Sequence, residues 1–459
     1  MLSPHNNNKD IMNIKHIALA ALVLCAGLSS MHTVSADSKR ASTAVTVEKR
    51  AVAPFSAIEL SGPFRVVVTE GAPSLELSGE PGRLAEIETE VRGGTLVVRQ
   101  RSRNGIHFNW SKRDEAETVV RIGATNLKSL ANSGSGDVEL DGVKGERFVL
   151  TSGGPGDIRA RGTARSFEVT SSGSGDLDLR QVSATNVTLG MSGPGDVRLG
   201  SVGNELTARI SGPGDLEADE LRLARAVAQI SGPGGARLRG SARELRVEVT
   251  GPGDFDGCDL KVEKVSSIQR GPGDACVAGT IREFEAEVRG AGDLEARGLQ
   301  AGRAILRMSG PGSATLSGSA DELRADLRGS GELDAGHLTV RKATIDNGGP
   351  GDVSLARVTD TLDANLHGSG DLSASIEGKR VMLRMSGPGN VELDGHAEHI
   401  NAELSGSGTL QARRLTVRQS DINVRGPGSA SVNQVREGGG REELVQVGRD
   451  GRNGSRRGD

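Results

Sequence analysis

One short motif limits what this chain can fold into. Gly-x-Gly, usually followed by Asp, returns every 19 or 20 residues from Gly134 to Gly428. Its first glycines are 134, 154, 173, 193, 212, 232, 251, 271, 290, 310, 329, 349, 368, 387, 406 and 426, which makes sixteen copies. A period near 20 is one coil of a solenoid. The residue four after the first glycine is apolar in every copy, as in Val138, Ile158, Leu177 and Val197. The residue six after it is apolar or Gly, and the one between is mostly polar. Such alternation gives a strand with one face in and one out. A second alternating run precedes each motif, for example Leu245-Val247-Val249. Each coil therefore carries at least two strand segments, with a tight glycine corner between them.

A two-coil unit of about 39 residues underlies the single period. Pro stands between the two glycines in every second copy, from Pro155 to Pro427. Core size alternates too. Leu216 and Ala218 run large then small, while Ala236 and Leu238 run small then large. Stacked in register, large side chains meet small ones and fill a thin core without aromatic rings. The outward residue between those positions alternates in sign: Glu139, Arg159, Asp178, Arg198, Glu217, Arg237, Asp256. In-register coils bring these within about 4.8 Å of each other, so the sequence favours parallel stacking. Exposed ion pairs of this kind add little stability. The alternation fades after Asp256.

The expected fold is all-β: a right-handed parallel β-helix of about sixteen 19–20-residue coils with an irregular β-rich N-terminal cap. A chain of 459 residues with 66 Gly, seven Phe, one Trp and no Tyr points away from an ordinary globular fold and could mean disorder, but a strict repeat can build a thin core from small side chains. Hydrophobic residues reach 35%, and the net charge is −4. No basic face dominates, so a nucleic-acid partner is not expected. Residues 1–36 read as a signal peptide, with Lys15 before the apolar run Ile17–Leu28 and Val34-Ser35-Ala36 as the cleavage site. The run is too short to span a bilayer, so no transmembrane span is expected in the mature chain. Met12 is an alternative start, and Leu24 before Cys25 argues against lipidation. Residues 37–50 read as a polar linker, 51–130 as the cap, 131–435 as the repeats and 436–459 as a disordered tail. Within the cap, Ala57–Leu60, Phe64–Thr69, Ser74–Leu77, Leu96–Arg99 and Thr118–Ile122 read as strands. Leu84–Glu90 reads as a short helix. Cys258 and Cys276 sit two positions out of line on neighbouring coils, a diagonal of about 8 Å that favours two separate thiols.

Five consecutive motif aspartates, Asp137, Asp157, Asp176, Asp196 and Asp215, form a carboxylate ladder along one corner. Calcium is the one cofactor it could hold, since neighbouring carboxylates repel. Otherwise each Asp accepts a backbone N–H and fixes the corner. The structural reading tolerates the later replacements Gly235, Ser313, Glu332, Asn390, Thr409 and Ser429. Phe108 and Trp110, with Phe55 and Phe64, form an aromatic group that either binds a ligand or plugs the open end of the solenoid. His396 and His399 are three apart in a strand and face opposite sides, which does not suit a shared metal. No helix follows the Gly-x-Gly corners to receive a phosphate. No catalytic residue emerges. Coil length never varies by more than one residue. The long loops with paired carboxylates of a β-helix polysaccharide lyase or hydrolase have no room here.

Phe55-Ser-Ala-Ile-Glu-Leu-Ser-Gly, Thr95-Leu-Val-Val and Leu127-Lys-Ser-Leu-Ala-Asn-Ser-Gly-Ser-Gly-Asp137 carry a resemblance. Over about residues 50–435 the chain resembles the GIN-domain family, the head domains of auto-transporter adhesins, largely of unknown function. The resemblance implies an exported β-helix without a known catalytic residue. The end, Arg452-Asn-Gly-Ser-Arg-Arg-Gly-Asp459, lacks the alternating strands of an outer-membrane barrel, so self-anchoring is not expected. The reading is a non-enzymatic, adhesin-like or envelope-associated binding surface. It would be periplasmic, secreted or on the surface of a Gram-negative bacterium, facing an envelope or surface component, protein or glycan. A structural spacer or assembling filament without a ligand is the alternative.

Overall fold

Each glycine motif closes a coil, because only glycine lets consecutive coils touch at that corner. A Cβ on Gly154 would run into the carbonyl oxygen of Gly134. The second glycine donates its N–H to the first glycine of the coil before, as Gly214 does to Gly193 O at 3.2 Å. The computed structural model describes residues 45–101, 117–435 and 442–448. They belong to one unit, Thr43–Asp459; Met1–Ser42, with the whole of the expected signal peptide and Cys25, lie outside the described residues. Sixteen corners bound fifteen full turns of a parallel β-solenoid.

A coil is one wrapped strand rather than separate short ones. Leu216–Ile230 is continuous over 15 residues and Ala236–Val249 over 14. Register slips between Ala218 and Leu221 mark a bend. There the backbone takes positive φ at Gly240 (132°) and even at Glu220 (57°). Three inward stretches result: Leu216 and Ala218, then Leu221 and Leu223, then Ala226, Ala228 and Ile230, all buried. A 19-residue coil drops one residue from the middle stretch, leaving Ala242 alone there.

The register bears out the interlocking core. Leu216 stacks on Ala236, and Ala218 on Leu238. Leu294 stacks on Ala314, and Ala296 on Leu316. The third stretch follows suit, with Phe284 on Ala304 and Ala286 on Leu306. A Leu→Ala change in such a core costs about 2–5 kcal/mol. Buried polar residues interrupt the third stretch in places. Asn347 Oδ1 accepts from Gly349 N (3.2 Å), and its Nδ2 donates to Gly351 O (2.7 Å), so it braces the corner from inside.

The cap conceals a further coil. Its strands are β1 (Thr46–Arg50), β2 (Ala57–Ser61), β3 (Arg65–Glu70), β4 (Ser74–Gly79), β5 (Ile87–Arg92), β6 (Thr95–Gln100), β7 (Val119–Ala124) and β8 (Ser129–Asn132). Ser61-Gly62-Pro63-Phe64, between β2 and β3, occupies a corner position, with Phe64 in place of the second glycine. Ser133 N donates to Leu60 O (2.9 Å) and Ser135 N to Gly62 O (3.1 Å). Val66 and Val68 then stack on Val138 and Leu140. Below, β6 and β7 run parallel to β2 and β3. Strands β1, β4 and β5 turn antiparallel, β5 on β6 and β4 on β7, with β1 on β4. Phe55 and Phe64 are buried in this cap, as a plug requires; Phe108 and Trp110 lie outside the described residues.

Three boundaries differ from the sequence reading. Residues 46–50 are not linker: β1 pairs with β4, and Arg50 donates to Ile87 O (2.6 Å) and Leu84 O (2.9 Å). The helix is four residues, Pro81–Leu84, and Ile87–Arg92 is strand, because Val91 pairs with Leu96 across a hairpin. The segment after 435 is not wholly unstructured. Glu442–Val447 pairs antiparallel with Ser429–Val435, setting Val445 opposite Val432 and covering an edge that would otherwise stand open.

Candidate functional site

The aspartate corner comes out as a chain of backbone caps. Asp137 Oδ1 accepts from Asp157 N (3.1 Å), Asp157 from Asp176 N (2.9 Å), and Asp176 from Asp196 N (3.0 Å). Asp196 accepts from Asp215 N (3.0 Å), and Asp215 from Gly235 N (2.7 Å). The other five motif aspartates do the same: Asp254, Asp274, Asp293, Asp352 and Asp371 each hold the next coil's N–H at 2.7–2.8 Å. One oxygen of each carboxylate is thus committed to the fold. The motif carboxylates do not converge in threes among the described residues. Asp215→Ala is expected to cost about 0.5–1.5 kcal/mol by orphaning Gly235 N–H, and Asp215→Asn less, because the amide oxygen still accepts. Thermal melts of the two variants check this. Calcium or a chelator should leave the wild-type melting temperature unchanged; a rise with calcium would instead establish a metal ladder.

The charged residues beside this corner stack as their alternation predicts. Arg159 lies between Glu139 and Asp178, and Arg198 between Asp178 and Glu217. Arg237 Nε donates to Asp256 Oδ2 at 2.8 Å and holds that carboxyl below the usual carboxylate range, against a smaller opposing effect of burial. Asp178 is lowered chiefly by its bond to Arg180 (2.7 Å), two residues along its own strand. Arg239 bridges Glu217 (2.7 Å) and Asp219 (3.0 Å). The ladder breaks at Gly235, which offers no carboxylate onward. An open recess of about 360 Å³ lies there, lined by Asp215, Asp254, Arg198 and Arg237.

A second alternating row escaped the sequence reading. Glu205, Arg225, Glu244, Lys264, Glu283, Arg303, Glu322 and Lys342 stack coil on coil at the start of the third stretch. Lys264 pairs with Glu283 at 2.6 Å and Arg303 with Glu322 at 3.0 Å.

The cysteines also correct the sequence reading. Cys258 and Cys276 form a disulfide, with Cα atoms 5.3 Å apart. The register slips between Gly257 and Lys261, and this bulge draws Cys258 in from the ordinary diagonal. Glu295 lies 3.7 Å from the Cys276 sulfur. With both sulfurs bonded to each other, the three groups offer no thiolate to a metal. His396 and His399 are both exposed, on either side of buried Ala397, and stack against Glu377 and Arg380.

A model of the family described as "Putative auto-transporter adhesin, head GIN domain" matches residues 54–241, 202–280, 277–375 and 358–437. The chain belongs to this family. The GIN matches overlap one another, as expected where a repeating coil unit recurs along the chain. Similar solved structures include a "putative adhesin" from Bacteroides fragilis, at 16% identity and TM-score 0.23, covering 64% of this chain and 97% of that one. A "putative lipid binding protein" from Parabacteroides distasonis matches at 17% identity and TM-score 0.26, covering 64% and 96%. A "putative cell adhesion protein" from Clostridium sporogenes matches at 12% and 0.17, covering 58% and 99%. The comparison with curated proteins finds no match. No helix among the described residues of this GIN chain is long and apolar enough to cross a membrane.

Proposed function

We propose that this GIN-domain chain is an exported, non-enzymatic scaffold that presents a charged, adhesin-like surface to a protein or glycan of the cell envelope. One observation carries the reading: fifteen consecutive turns of 19 or 20 residues leave no inserted loop to wall a cleft. Each corner carboxylate has one oxygen bound to a backbone N–H of the next coil, which gives it a structural role. What faces solvent beside them is a lattice of paired charges with open recesses at Gly235 and beside Arg159. Rows of this kind recognise a partner by charge pattern rather than by enclosure. Among the described residues, the end strands β1 and Glu442–Val447 lie antiparallel at the two ends of the stack, so neither end offers a full coil. That weighs against an end-to-end filament.

The test is retention of isolated outer-membrane proteins and cell-wall glycans on the immobilised chain. Retention of one fraction is expected, falling with added salt and in Arg198→Glu/Arg237→Glu. Failure to retain either fraction would favour a spacer. New reducing ends or unsaturated uronates in the glycan fraction would mean an enzyme.

A further inference from the structure

The second charge row has a symmetry that the first lacks. It holds eight residues, an even number, with signs that alternate without a break from Glu205 to Lys342. Such a row, turned end for end about its midpoint, meets itself with opposite sign at every position. The midpoint falls between Lys264 and Glu283. A two-fold axis there sets Glu205 opposite Lys342 of a second copy, Arg225 opposite Glu322, Glu244 opposite Arg303, and Lys264 opposite Glu283.

Two further features sit at the same place. An open groove of about 450 Å³ straddles the midpoint, lined by Glu244, Lys264, Glu283, Arg303 and the outward-facing Ile305. Arg225 and Lys342 make no ion pair within hydrogen-bond distance among the described residues, so their charges remain available. The size is also adequate. Eight coils at about 4.8 Å give a strip about 34 Å long, and a stretch of seven residues about 20 Å wide, hence about 700 Å² per partner. Stable interfaces of standard size bury about 600–1,000 Å² per partner.

We propose that this face is an isologous contact between two copies of the chain, packed antiparallel about a two-fold axis at Lys264 and Glu283. The contact uses a different face from the aspartate corner, so it stands or falls independently of the envelope-binding reading. Its ion pairs run the length of the open strip, through the central groove lined by Glu244, Lys264, Glu283 and Arg303, so association weakens as salt screens the row.

Sedimentation velocity over a range of protein concentrations tests it. The wild-type chain is expected to dimerise at low salt and dissociate at high salt. Lys264→Glu turns two attractive cross-copy contacts repulsive and should weaken the dimer about 10-fold. Lys264→Glu/Glu283→Lys restores both contacts, and the Lys264–Glu283 pair within the chain, and should restore the dimer. Lys342→Glu disturbs no ion pair of its own chain and should weaken the dimer as well, rescued by Glu205→Lys. A wild-type chain that stays monomeric at all concentrations overturns the proposal. So does a folded Lys342→Glu chain that dimerises as tightly as wild type, or a double exchange that melts normally but fails to re-associate.

Discussion

Deleting one coil, Gly290–Ser309, is expected to damage the stack severely, whereas deleting two, Gly290–Arg328, should leave it nearly intact. The one-coil deletion places the coil of Gly310 directly on that of Gly271. Ala275 then faces Ala314 and Ala286 faces Ala325, leaving voids. Val277 meets Leu316 and Phe284 meets Leu323, which overpacks the same interface. Each mismatch costs on the order of 1–3 kcal/mol, so the four together cost the interface about 4–12 kcal/mol. Glu283 would also face Glu322. The two-coil deletion instead sets Ala275 against Leu333, Val277 against Ala335, Phe284 against Ala343 and Glu283 against Lys342, each a pairing of the native kind. Because a solenoid couples coils only to their neighbours, the one-coil variant should melt early and in two steps. The two-coil variant should melt once, near wild type. Equal melting of the two variants would sink the interlocking core.

The choice of deletion site shows what the sequence could and could not give. From alternation alone, any two-coil unit looks removable, Gly212–Thr250 included. The structure shows that this excision would set Val197 under Phe255, in the place now held by Ala236. The first charge row was visible because its residues keep a constant distance from the glycine before them. The second was hidden by the extra residue of the longer coils. Glu244 is twelve residues after Gly232, but Lys264 is thirteen after Gly251. Counted back from the next glycine, both are seven away. The extra residue lies in the middle stretch, so it shifts every position beyond it. The coil hidden in the cap escaped for another reason: Phe64 replaces the second glycine, which erases the motif while keeping its corner. The aspartates were found from sequence, but whether they cap or chelate turned on which atom faces each carboxylate oxygen.

The bulge at Cys258 is where register reasoning failed, and it carries the second large effect. Across that interface Gly257 pairs with Val277, but the next paired residue is Lys261 with Ala278. Cys258, Asp259 and Leu260 have no ladder partner there. The charge row also ends here, since Cys276 stands opposite Asp256 where an arginine would continue it. The disulfide therefore links two coils where both backbone pairing and ion pairing lapse. It closes a loop of 18 residues, for which chain-entropy arguments give about 3 kcal/mol. The proposed export would place the bond in the oxidising conditions that keep it. Cys258→Ser/Cys276→Ser should lower the melting temperature by as much as a reducing agent lowers that of wild type. The reducing agent should then have no further effect on the double variant. Hydrogen exchange should show the loss first in residues 251–279, on the two coils that the bond joins, because neighbouring coils remain held by their own ladders. If thiol titration proves the wild-type bond reduced and the melt does not move, the staple contributes nothing, and the bulge is held by Leu260 and Val277 in the core alone.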